Sequence, residues 1–205
     1  KTKEARESFE RALKLQASYP GTIPNAWNNL GILSAREGDA AAAIDFFRRA
    51  LQIDPAHLIA LVNLGNAYRQ QREWDEAKKV LQRALEVEPD DPEVNYSLGM
   101  VCAQLDESDR AYDYLKRAVE LRPVYPEALN NLGVLYLRTR RPEEAVHSFQ
   151  ECIRVAPEYD QSYLNLARVY ALQDQREKAR DVLLELLKEH PDHAQAKAAL
   201  SQLTQ

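Results

Sequence analysis

One period constrains this chain more than anything else in it. Pro55, Pro89, Pro123, Pro157 and Pro191 stand 34 residues apart, and so do Ala43, Ala77, Ala111, Ala145 and Ala179. Asn29-Leu30-Gly31 returns as Asn63-Leu64-Gly65 and Asn131-Leu132-Gly133, with looser copies at Ser97-Leu98-Gly99 and Asn165-Leu166-Ala167. Three kinds of residue keeping one clock through five copies exclude chance. A unit of that size cannot bury its apolar face alone, so copies must stack on one another to make a continuous core.

Within a copy the pattern is helical. In the stretch Leu58 to Asp91, Leu61, Leu64 and Tyr68 fall at the three- and four-residue steps that share one helix face. After Gln71-Arg72-Glu73 a second run follows, Trp74, Ala77, Val80, Leu81, Ala84 and Leu85, and it stops before Pro89, because proline disfavours helix in the residue ahead of it. Each copy therefore predicts two amphipathic helices of about 12–14 residues, a common length. No segment alternates with period two, so the expected class is all-α. The recurring glycines, each costing about 1 kcal/mol relative to alanine inside a helix, predict a close approach to the alanine of the second helix. A turn at Gly65 is the competing account, against which the apolar pattern runs through unbroken.

These residues resemble the tetratricopeptide repeat (TPR). The first full copy carries Trp27, Leu30, Gly31, Ala43, Phe47, Ala50 and Pro55; the fourth carries Leu129, Leu132, Gly133, Tyr136, Ala145, Phe149 and Pro157. The resemblance implies an alpha-alpha superhelix, the TPR solenoid of antiparallel helix pairs. The copies run 24–57, 58–91, 92–125, 126–159 and 160–193. Residues 1–19 read as the second helix of a truncated preceding repeat, carried by Ala5, Phe9 and Ala12, with the start of a linker. Residues 20–23 read as an extended connection and 194–205 as a C-terminal capping helix, with Lys197 where other copies hold Trp27, Leu61 or Leu129. Lys1 already lies in a helical pattern, so the expectation is a piece of a longer chain.

The resemblance also implies where a ligand would lie: the first helix of each pair lines a concave groove. The implied lining includes Asn25, Asn28, Asn29 and Arg36 in the first copy, Asn63, Asn66 and Arg69 in the second, and Glu93, Tyr96 and Ser97 in the third. It continues with Glu127, Asn130, Asn131 and Arg138, then Leu164, Asn165, Arg168 and Leu172. Asn29, Asn63, Asn131 and Asn165 share one repeat position, with Ser97 in the middle copy. An amide offers donors and an acceptor at once, so such a row suits the peptide groups of an extended chain, and it is similar to the asparagine ladder in the repeat domain of O-linked N-acetylglucosamine transferase. The competing account is that these amides bond locally. Arg36, Arg69, Arg138 and Arg168 make the implied groove slightly positive on a chain of net charge −5, which favours a ligand with acidic side chains. The carboxylate clamp of chaperone-binding relatives is not matched: Asn28 or Val62 stands where its first lysine belongs, and Glu93 or Glu127 where a later one does.

Nothing in the sequence calls for catalysis, a metal or another cofactor. There is no Gly-rich phosphate loop and no Gly-x-Ser-x-Gly elbow. His190-Pro191-Asp192-His193 falls in a turn between copies, so all four histidines, His57 and His147 included, read as surface side chains. No run of about 18 apolar residues spans a membrane, and the mild negative charge argues against nucleic acid. Cys102 and Cys152 take positions that are small, apolar or aromatic in other copies. They read as buried free thiols, which favours a reducing, cytoplasmic compartment. The expected function is a non-catalytic protein–protein interaction scaffold holding an extended peptide or partner segment in its groove. The alternatives are self-assembly through end or convex faces, and service as the substrate-recognition region of a larger enzyme such as a glycosyltransferase.

Overall fold

The computed structural model describes residue 11 and residues 23–203. Its helices are α1 (Ile23–Arg36), α2 (Ala40–Ile53), α3 (Leu58–Gln70), α4 (Trp74–Val87), α5 (Pro92–Gln104) and α6 (Ser108–Leu121). They continue with α7 (Pro126–Arg138), α8 (Pro142–Val155), α9 (Asp160–Leu172), α10 (Arg176–Glu189) and α11 (Ala194–Leu203). The described residues hold no strand. Apart from residue 11, the stretch 1–22 read as a preceding repeat and a connection lies outside the described residues, and Ile23, read as the end of that connection, opens α1.

The chain divides into two compact units, one ending at Glu107 and the other beginning at Ser108. In the first, α1 packs on α2 and α3 on α4, α2 and α4 each also meet the next first helix, and α3 touches both α1 and α5. In the second, α7 packs on α8 and α9 on α10, α6 meets α7 and α8 meets α9, and α9 touches both α7 and α11. Within each unit the first helices make one layer and the second helices another, with the core between them.

Local chemistry sets the helix ends. Asp39 and Asp91 accept the backbone N–H of Ala42 (3.0 Å) and Val94 (2.8 Å), capping α2 and α5. His57 does the same for α3 through Nδ1, at 3.1 Å from the N–H of Ala60. Each second helix ends two residues before the repeat's proline. The turn from first to second helix closes the same way in every copy, with a left-handed residue at repeat position 15: Gly38 (φ 84°), Arg72 (61°), Asp106 (58°), Arg140 (59°) and Asp174 (57°). Behind it a turn bond five residues back forms, such as Glu73 N–H to the Tyr68 carbonyl at 2.9 Å and Arg141 N–H to that of Tyr136 at 2.8 Å.

The glycines do mark close approach, and a side chain of the second helix lies directly over each of Gly31, Gly65 and Gly133. A Cβ on Gly65 would stand 2.5 Å from Leu81 Cγ, one on Gly133 would stand 2.6 Å from Phe149 Cε1, and one on Gly31 would fall inside contact range of the Phe47 ring. The second helix lays a bulky apolar side chain over the bare glycine. The recurring alanines Ala43, Ala77, Ala145 and Ala179, all fully buried, keep the same interface thin without being the groups that require glycine.

Tyrosines tie neighbouring copies together. The Tyr68 hydroxyl accepts from Arg48 and that of Tyr170 accepts from Gln150 Nε2 at 3.1 Å, each reaching the second helix of the copy before. Tyr136 reaches Tyr112 in the same sense, ring centroids 5.8 Å apart, with the Arg141 guanidinium 4.6 Å over the Tyr136 ring. Burial, with the hydrogen bond to Tyr112 second, pushes the Tyr136 phenol up to about 12.

Candidate peptide-binding groove

In the first unit the amide row is tied from helix to helix. Asn63 Nδ2 donates to Asn28 Oδ1 across one repeat at 2.9 Å. Ser97 Oγ donates to Asn66 Oδ1 at 3.2 Å, and Arg69 Nε donates to the same oxygen at 3.3 Å. Ser97 is buried; Asn29, Asn63, Asn66, Arg69 and Tyr96 are half-buried, and Arg36 is exposed. Ile59, more than half exposed, adds an apolar side chain to this face.

The second unit repeats the tie. Asn165 Nδ2 donates to Asn130 Oδ1 at 2.8 Å, and Ser162 Oγ donates to the same atom at 3.3 Å. Asn165 Oδ1 accepts from Gln161 at 3.4 Å. Asn165 is buried, Asn131 half-buried, and Arg138 and Arg168 are exposed.

Two residues implied as groove lining are therefore something else. Asn28 and Asn130 retain only 3% and 5% exposure and serve as acceptors for the next copy's asparagine. An unpaired buried amide would cost on the order of 1–3 kcal/mol, so pairing them across repeats both satisfies them and fixes the stagger of adjacent first helices. Asn63, half-buried, spends one N–H on this bond. Sequence spacing alone offered one signal of it: asparagine at adjacent positions in Asn28-Asn29 and Asn130-Asn131.

The other polar candidates serve structure. His193 Nδ1 accepts the Ala196 N–H at 3.2 Å, capping α11 as His57 caps α3. His190 and His193 flank Asp160 at 3.3 and 3.5 Å. Cys152 is buried, its thiol pushed up by burial and directed at the Pro126 carbonyl at 3.4 Å; Cys102 is likewise buried and outside any disulfide. No described helix is long and apolar enough to cross a membrane.

With this geometry in hand, residues 1–204 match the family model for the cilia and flagella-associated protein 70 C-terminal domain. The chain belongs to that family. Its fold is the all-α TPR solenoid of helix pairs, shared with solved structures. MamA aligns with TM-score 0.72 and 25% identity over 81% of this chain and 97% of MamA. YrrB, described as a TPR protein with an unusual peptide-binding site, aligns with TM-score 0.70 and 27% identity over 95% and 98%. The Cut9–Hcn1 assembly of the APC/C shares the fold alone, at TM-score 0.75 and 20% identity over 97% of this chain and 39% of the other. Among curated proteins, uncharacterized protein ycf37 of Pyropia yezoensis is 33% identical over 58 residues, 28% of this chain and 33% of that protein. The match spans about a third of that relative's length.

Proposed function

We propose that this family member is a protein-interaction scaffold that holds an extended segment of a partner protein along its first helices. The observation that carries the reading is the disposition of the asparagines. Asn63 spends part of its bonding capacity on the copy before and keeps the rest for a ligand. Such half-satisfied amides on rigid helices can bond peptide groups whatever the side chains they carry. Arg36 and Arg168, exposed and without an ion-pair partner among the described residues, favour acidic character in the bound segment. The resemblance to YrrB supports a peptide as the kind of ligand.

The test is a double substitution, Asn63→Ala with Asn131→Ala, applied to a partner recovered by pull-down. Loss of buried peptide hydrogen bonds should weaken capture by about 1–3 kcal/mol. Equal capture by variant and wild type, at equal helicity, refutes the reading.

A further inference from the structure

The last groove of the second unit, lined in part by Asn165 of the amide row and by Gln161, adds apolar and charged chemistry to it. It lies between α9 and α11, has a volume of about 390 Å³, and is floored by Leu164, Ala171, Ala199 and Leu203, which sit on the apolar core. Gln195 and Gln202 stand exposed on its α11 wall. Arg168 is the one charged side chain that lines it among the described residues, and it is exposed with no carboxylate beside it. One helical turn on, at i+4 on the same face, Leu172 is 77% exposed, the most exposed large apolar side chain described.

We infer that this groove docks a partner segment in which a leucine-sized apolar side chain is followed closely by a carboxylate. The apolar group enters between Leu164 and Leu203 and covers Leu172, and the carboxylate pairs with Arg168. A basic segment would set its charge against Arg168, and a purely apolar one would desolvate it without a partner. The inference rests on the groove reading above and narrows it to one end of the chain.

The experiment uses the whole chain and fluorescence anisotropy with two fluorescein-labelled probes. One probe is four copies of Leu-Asp-Glu, the other four copies of Leu-Asn-Gln. The acidic probe should bind at least about tenfold more tightly, a difference of about 1.4 kcal/mol, and less tightly as salt rises. Arg168→Glu and Leu172→Asp, both at exposed positions and checked for helicity, should each weaken the acidic probe about tenfold or more. Equal binding of the two probes, no binding of either, or wild-type affinity in both variants overturns the inference. If the two variants bind normally while Asn63→Ala with Asn131→Ala does not, this groove fails and the amide row stands. If no substitution has an effect, both fail. A drop in solution mass of the unliganded chain on Leu172→Asp would assign the face to a second copy instead, and also overturns it.

Discussion

At the scale of single residues, repeat position 15 carries strain that the sequence did not advertise. Four copies place a side-chain-bearing residue in the left-handed region, where only the first copy has glycine. That conformation costs an L-residue about 1–2 kcal/mol, partly offset in a glycine variant by the larger unfolded-state entropy. Arg72→Gly and Arg140→Gly, both at exposed positions, should each raise stability by about 0.5–1 kcal/mol, read as a higher midpoint in urea. The glycines under the large side chains predict the opposite sign. Gly65→Ala gains about 1 kcal/mol of helix propensity but drives a methyl into Leu81. With overpacking costing about 1–3 kcal/mol, a net loss of up to about 2 kcal/mol is expected in the same assay. The three glycines were legible as close-approach sites; Leu81 and Phe149 as the covering groups were not, because the rotation of one helix against the other decides which side chain lies over a given Cα.

At the scale of elements, the ties between copies matter most. Tyr136 joins α7 to α6 through Tyr112, and its phenol is disfavoured in the charged form because it is buried. A phenol raised from its unfolded value near 10 contributes stability that is complete below that value and lost as pH rises toward about 12. Thermal melts from pH 9 upward should therefore show wild type losing stability faster than Tyr136→Phe in that window, with parallel behaviour at neutral pH. Helix bounds were legible here, since the prolines act within a few residues of where they stand. The asparagine bonds were not. Asn63 to Asn28 and Asn165 to Asn130 join residues 35 positions apart, and no local rule says which neighbour an amide will choose.

At the scale of the whole molecule, stability in a stacked array is a sum of repeat terms and nearest-neighbour interfaces. Damage should then stay local. Hydrogen exchange in Gly65→Ala is expected to speed up in α3, α4 and the helices touching them, α1, α2 and α5, while the amides of α9 and α10 keep their protection. Uniform acceleration through all helices would contradict this nearest-neighbour picture.

The sequence by itself determined the repeat, the helix class and length, and the positions of turns, because periodicity and proline act over a few residues. It also determined which residues face inward between helix pairs. Only the tertiary structure decided which asparagines bond to the neighbouring copy. Burial of Asn28 and Asn130, and the bond that Asn63 donates, depend on how far one first helix slides past the next. That stagger is a property of packed side chains from two copies at once and is written in neither copy alone.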